Sequence, residues 1–222
     1  MKIAVIHTTP ATIASLGDLI RSEIPNAEVF NLLDDSILPD MNGGYRVDWV
    51  RERWLEYAQI ARKNGAQAIL SACSTVGEFA QEANQMLDIP VYRIDEAMAC
   101  EAVRRGGVIC VFATLASTLE PTARLLKRLS QKQTQFCEIR TVLVEGAYDA
   151  LMQGDRALHD EKIRQALAEQ GAQANVIVLA QASMASAADG LPDEICAKVL
   201  TSPRLGIEKL RDDLAALDGE KR

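Results

Sequence analysis

The sequence predicts an α/β protein of two pseudo-symmetric lobes, each a parallel sheet flanked by helices in a Rossmann-like or flavodoxin-like arrangement. Three observations lead there. Short apolar runs bounded by Gly, Pro or polar turn residues alternate with longer segments of helical period, which is the pattern of βαβ units. The tetrapeptide Gly-Ala-Gln-Ala occurs twice, at Gly65 to Ala68 and at Gly171 to Ala174, each time ahead of an apolar run that ends in a small polar cluster. The segments Lys2 to His7 and Gly107 to Phe112 both read as a buried strand entering a Thr-bearing turn. Position 7 to 112 is a step of 105 and position 65 to 171 a step of 106, so the register holds across half the chain and indicates an internal duplication.

Strands are expected near 2–7, 27–32, 67–72 and 90–93 in the first half, and near 107–112, 138–144 and 175–180 in the second. Helices are expected near 11–23, 47–64, 76–86, 95–104, 118–131, 146–152, 155–170, 184–188, 192–200 and 204–217. Right-handed crossovers would bring every strand-to-helix turn to one edge of its sheet. The glycine pair Gly106-Gly107 marks the boundary between halves. The expected division is 1–97 plus 204–222 for the N-terminal lobe and 98–203 for the C-terminal lobe, with the last helix closing back on the first half.

Composition bounds the function. With 222 residues and 48% hydrophobic content the chain can bury one sizeable core or two of about 100 residues each. A net charge of −7 offers no basic stripe for nucleic acid or an acidic membrane. The basic clusters at Arg51 to Arg53 and Arg104-Arg105 are short and read as solvated helix faces. No apolar stretch reaches the roughly 20 residues of a membrane span, and no signal-peptide core precedes the first strand, so a cytoplasmic location is expected. Five scattered cysteines without CxxC spacing support neither a disulfide framework nor a metal site. Cys100, Cys110, Cys137 and Cys196 read as small core residues. Gly43-Gly44 and Gly106-Gly107 lack phosphate-loop spacing, so cofactor-free chemistry is expected. Apolar helix stripes leave room for a homo-oligomer.

In open α/β sheets ligands bind beyond the carboxyl ends of the strands. The polar clusters fall at those ends: His7, Thr8 and Thr9 after the first strand; Cys73, Ser74 and Thr75 after the third; then Thr114, Ser117, Thr118, Gln181 and Ser183 in the second half. Two such edges facing each other would form a small cleft suited to a carboxylate. Cys73 closes a strand and opens a helix, where the helix dipole and local donors can lower a thiol pKa from about 8.5 toward neutrality. If the first and third strands are neighbours, His7 comes near Cys73, as a partner for the thiolate or as a second proton carrier. A strand-terminal histidine bonded to a loop carbonyl explains His7 equally well. His159, among Asp155, Asp160 and Glu161, reads as a surface residue. The threonines Thr8, Thr9, Thr114 and Thr118 serve equally as helix caps and as substrate contacts. The segment Met41 to Arg46 reads as an exposed linker, or as a lid with Tyr45 or Arg46 reaching an anion.

With the Cys73-Ser74-Thr75 cluster, the stretch Phe112 to Pro121 and the stretch Val178 to Met184, the chain resembles the aspartate/glutamate/hydantoin racemase superfamily along nearly its full length. The resemblance implies two α/β lobes with the active site in the cleft between them, and catalysis by cysteines without metal or pyridoxal phosphate. It implies that Cys73 is the first of two proton-exchanging cysteines. The second position falls at Gln181, whose amide cannot exchange protons near neutrality but can donate a hydrogen bond to a carboxylate or enolate oxygen. Racemisation with His7 as the replacement carrier, protonation after decarboxylation by a single cysteine, and cis-trans isomerisation by thiol addition all remain open on this reading. So does a non-catalytic binder of small carboxylates. The leading expectation is a cofactor-independent isomerase working through the Cys73 thiolate at the carbon α to a carboxylate.

Overall fold

A computed structural model describes residues 1–42 and 46–220. Tyr45, of the loop read as a linker or lid, lies outside them. The chain divides into two compact units, Met1–Ala97 with Pro203–Arg222, and Met98–Ser202.

The first unit holds four parallel strands, β1 (Lys2–His7), β2 (Glu28–Leu33), β3 (Ala68–Ser71) and β4 (Val91–Arg93), in the order β2-β1-β3-β4. Its helices are α1 (Ile13–Glu23), α2 (Ile37–Asn42), α3 (Val47–Lys63) and α4 (Gly77–Met86). The central strands are apolar between their ends, Ile3 to Ile6 in β1 and Ala68 to Leu70 in β3, because both faces are covered. On one face Ala4, Ile6 and Ile69 meet Trp54 of α3 and Phe79 of α4. On the other, Ile3, Val5, Ala68 and Leu70 meet Leu16 and Ile20 of α1, and Ile207, Leu210 and Leu214 of the C-terminal helix.

After α5 (Glu96–Arg105), the second unit repeats the arrangement. Its strands are β5 (Gly107–Ala113), β6 (Cys137–Leu143), β7 (Val176–Leu179) and β8 (Val199–Thr201), all parallel in the order β6-β5-β7-β8. Its helices are α6 (Ala116–Gln133), α7 (Ala147–Met152), α8 (Arg156–Gln170) and the short α9 (Asp193–Cys196); α10 (Ser202–Glu220) is the C-terminal helix. Cys110, Phe112, Ile177 and Leu179 face Ile163 and Leu167 of α8 and Met184. The two sheets therefore have the same topology, and the chain is a two-lobed α/β protein of two four-stranded parallel sheets flanked by helices.

The backbone ladders fix how the halves correspond. Ala72 N–H donates to Ile6 O at 3.0 Å, and Ala180 N–H donates to Phe112 O at 2.9 Å. Ile6 thus matches Phe112, and Cys73 matches Gln181. Asp34 N–H bonds His7 O as Val144 N–H bonds Ala113 O, which makes Ala113, and not Phe112, the counterpart of His7. At the other end, Lys2 N–H donates to the Gln67 side chain at 2.9 Å and Val108 N–H to the Asn175 side chain at 2.8 Å. Gln67 therefore corresponds to Asn175, and the repeated Gly-Ala-Gln-Ala is out of structural register by two residues.

Two elements depart from the sequence expectation. The region 192–200 is one turn of helix followed by β8, which pairs with β7 through Val178 and Leu200; a three-residue apolar strand is indistinguishable by period from the end of a helix. The helix α2 falls where no element was expected. Among the basic residues, Arg53 is drawn inward, with Nε 3.0 Å from Asp34 and Nη2 3.0 Å from Asp40. Arg51 pairs with Glu82. Cys110 is buried as expected, but Cys196 is exposed.

Candidate active site

Side chains alternate across a strand, and that alternation decides which strand-end residues can meet. Ala4 and Ile6 point to the α3/α4 face of the first sheet, as does Ile69, and Cys73 packs against the same cluster. Thr8 continues the Ala4-Ile6 series and faces the Cys73 sulfur, where its hydroxyl pulls the thiol down. Its Oγ1 is buried and has no conventional hydrogen-bond partner among the described residues. The Thr75 hydroxyl and N–H and the Val76 N–H likewise favour the ionised sulfur, although Cys73 closes no hydrogen-bonded cap on the turn Ser74–Val76.

His7 belongs to the opposite series, with Ile3 and Val5. Its ring is fully buried, with Nε2 2.9 Å from Asn31 Oδ1 and Nδ1 3.3 Å from Thr12 Oγ1. Since an amide oxygen only accepts, Nε2 carries the proton, and Nδ1 accepts from the threonine hydroxyl. Burial lowers the pKa of His7 below its ordinary value, opposed by the Asn31 bond. The expected His7–Cys73 partnership is thus corrected: adjacent strands bring the two backbones together, but the side chains leave the sheet on opposite faces. Thr9 is a cap, its hydroxyl accepting from Ala11 N–H at 3.4 Å.

The Cys73 thiol is also corrected in direction. The surrounding donors favour the thiolate, but burial outweighs them and pushes the thiol above its ordinary value. The turn provides the donors expected at a helix start; the apolar core behind the sulfur provides the larger opposing effect.

In the second unit Gln181 occupies the place of Cys73 and Thr114 that of Thr8. Gln181 Oε1 accepts from Thr114 N–H at 2.6 Å and from its hydroxyl at 2.9 Å. With the oxygen engaged, the amide NH2 is the end left to donate. Thr118 is buried and its N–H donates to Leu115 O at 3.1 Å, closing the first turn of α6. Ser183 is buried, and its carbonyl accepts from Arg156 Nη1 at 3.1 Å.

His159 is not on the surface. It lies on the stripe of α8 that carries Ile163 and Leu167, fully buried, with Nδ1 2.7 Å from Asp160 Oδ1. Asp160 also accepts from the Ser186 hydroxyl at 3.0 Å, and Arg156 donates to Ser186 at 2.9 Å. These residues tie the start of α8 to the turn Ala182–Ala188 that follows Gln181. The charged neighbours of His159 hid its place in the i, i+4 apolar pattern. Arg46, a candidate anion contact, is engaged by Asp40 at 3.4 Å and lies 4.3 Å from the Trp49 ring centre.

Among the described residues no cluster of three or more His, Cys, Asp or Glu could hold a metal ion, and no helix is long and apolar enough to cross a membrane.

A glutamate racemase from Thermus thermophilus, solved with beta-chloro-D-alanine, superposes with a TM-score of 0.76 at 18% identity, covering 98% of this chain and 81% of that one. A glutamate racemase isoform from Bacillus anthracis gives 0.75 at 16% identity over 96% and 81%. An allantoin racemase from Klebsiella pneumoniae gives 0.67 at 21% identity over 98% and 89%. No curated protein matches the chain. At these identities the structures establish a shared fold. The sequence model of the Asp/Glu/Hydantoin racemase family, however, matches residues 3–210, and the chain therefore belongs to that family.

Proposed function

We propose that the chain is a cofactor-independent racemase or isomerase acting through Cys73 at the carbon α to a carboxylate of a small acid, such as an amino acid, a hydroxy acid or a dicarboxylate. The observation that carries this reading is the place of Cys73 at the carboxyl edge of a parallel sheet, at the start of the turn Ser74–Val76, where the Thr8 hydroxyl, the Thr75 hydroxyl and N–H and the Val76 N–H all favour its ionised form. Such donors stabilise a thiolate that removes an α-proton, and the same hydroxyls can bind a carboxylate oxygen. Ser74 and Thr75 complete the set on this edge. On the second sheet Thr114, Thr118, Gln181 and Ser183 form the corresponding recognition set, with the Gln181 amide donating to a carboxylate or enolate oxygen. His7 is a structural residue in this reading, because both ring nitrogens are already engaged.

A second reading is favoured by the upward displacement of the Cys73 thiol. A thiol that stays protonated near neutrality is a proton donor, suited to quenching the carbanion left by decarboxylation. Gln181, whose amide does not act as an acid or a base near neutrality, agrees with one-sided protonation.

Solvent deuterium incorporation at the α-carbon, across a panel of amino, hydroxy and dicarboxylic acids, separates the readings. Racemisation requires exchange with inversion that is lost in Cys73→Ser. Deuterium found only in a decarboxylated product selects the second reading. Saturable binding of a carboxylate without exchange or turnover in either form would reduce the protein to a binder and overturn both.

A further inference from the structure

Behind the Cys73 turn lies a buried cation that the site described above does not use. Arg93 ends β4 and is the register partner of Ser71. Val91, two residues earlier, lies with Ile69 in the core against which Cys73 packs, so alternation puts Arg93 and Ser71 on that same face. Arg93 Nε donates to Asp95 Oδ1 at 2.7 Å and Nη2 to Oδ2 at 2.9 Å. The two side chains are only 2% and 0% exposed.

The guanidinium lies against Gly77, the first residue of α4. A Cβ at that position would come within 2.5 Å of Arg93 Cζ and Nη2 and 2.7 Å of Nε, so only glycine lets the plane seat there. Its third nitrogen, Nη1, is buried without a hydrogen-bond partner among the described residues, and so is the Ser71 hydroxyl two residues before Cys73. Space-filling alone does not call for a charge here, because well-packed apolar residues of similar volume often replace a buried ion pair without loss of stability. The groups of negative charge that face the guanidinium are Asp95 and Glu96, at and after the turn into α5, and Glu78 on α4.

We propose that Arg93 is a positioning residue for Cys73: clamped by Asp95 and seated on Gly77, it fixes the turn Ser74–Val76 so that the turn's N–H groups face the sulfur. The proposal rests on the reading of Cys73 as the working thiol. Its test needs no substrate, so a failure to find turnover leaves it intact.

The experiment is alkylation of the intact protein with iodoacetamide from pH 6 to 11, resolved by peptide mass spectrometry, with the exposed Cys196 as internal reference. Arg93→Met should raise the midpoint for Cys73 by about one pH unit and slow its alkylation about tenfold below that midpoint, while Cys196 is unchanged. Arg93→Lys, which keeps the charge but not the two-pronged clamp on Asp95 or the flat seat on Gly77, should leave most of that shift in place. A Cys73 midpoint in Arg93→Met equal to that of the wild type, whatever the change in melting temperature or absolute rate, overturns the proposal. If Arg93→Met does not fold, Gly77→Ala displaces the guanidinium while keeping its charge, and there too an unshifted midpoint overturns it.

Discussion

Gln181 Oε1 takes both the N–H and the hydroxyl of Thr114, at 2.6 and 2.9 Å, and so stands in the second sheet where Cys73 stands beside Thr8 in the first. The equivalence makes a sharp separation of roles possible. Gln181→Glu keeps an oxygen for Thr114 but replaces the amide donor by a charge. It should leave the melting temperature within a few degrees of the wild type and weaken carboxylate binding by tenfold or more, about 1.4 kcal/mol, measured by calorimetry. Gln181→Ala should instead destabilise the fold by about 1–3 kcal/mol, because Thr114 loses both contacts.

If the wild type exchanges the α-proton without inverting the acid, a second thiol at the position matching the first is what it lacks, and Gln181→Cys should add inversion to the exchange. Circular dichroism or polarimetry of the recovered acid, read beside its deuterium content, checks this. Retention of configuration in the variant would show that the second position alone does not decide the outcome.

The thiol itself predicts a pH profile. Burial holds Cys73 above the ordinary thiol value, so any step that needs its thiolate should accelerate with pH beyond neutrality. At pH 7 Cys73 should alkylate more slowly than the exposed Cys196. An inverse result, with Cys73 the fastest of the cysteines at pH 7, would contradict the dominance of burial.

His7 and His159 are both displaced below their ordinary value of 6.5, chiefly by burial. The folded state therefore binds fewer protons than the unfolded state once the pH drops below that value, and stability must fall as pH falls from about 6.5 toward the folded pKa values. Above that window the histidines contribute no slope. Urea midpoints at pH 7.5 and 5.5 should differ in this direction, and His7→Gln or His159→Gln should flatten the difference. His7→Gln should also lower the melting temperature while leaving the Cys73 alkylation midpoint in place, since the two side chains lie on opposite faces. Carboxylates held low by partners, such as Glu101 at about 2 between Arg104 and Arg105, act in the same direction only at more acid pH.

Much of the architecture was legible because it follows from hydrophobic period: buried strands such as Ile3 to Ile6, helices between them, and polar residues at the strand ends. The pairing of Cys73 with Gln181 was legible for the same reason. What escaped were relationships set by side-chain direction and by burial. Period-two alternation, applied at His7, would have separated it from Cys73 and placed it beside Asn31. The i, i+4 spacing of His159 and Ile163 would have placed that histidine in the core. Arg93 could not have been read this way, since only the close approach of its guanidinium to Gly77 reveals why a charge is buried there. The direction of the Cys73 pKa depended on the balance between donors and desolvation, which no local motif encodes.

The amino ends of the sheets offer a test of the duplication independent of any chemistry. Gln67 receives Lys2 N–H at 2.9 Å and Asn175 receives Val108 N–H at 2.8 Å, so one side-chain oxygen in each half ties the third strand to the start of the first. Gly107 has φ +76°, and a Cβ there would come within 2.5 Å of Asn175 Oδ1, so the second clamp also requires a glycine beside it. Gln67→Ala and Asn175→Ala should each cost about 0.5–1.5 kcal/mol. Because the clamps belong to different sheets and share no partner, the double variant should be additive within about 0.5 kcal/mol. Native-state hydrogen exchange should show the loss at Lys2 in one variant and at Val108 in the other, whereas loss at both amides in either single variant would show that the clamps are coupled.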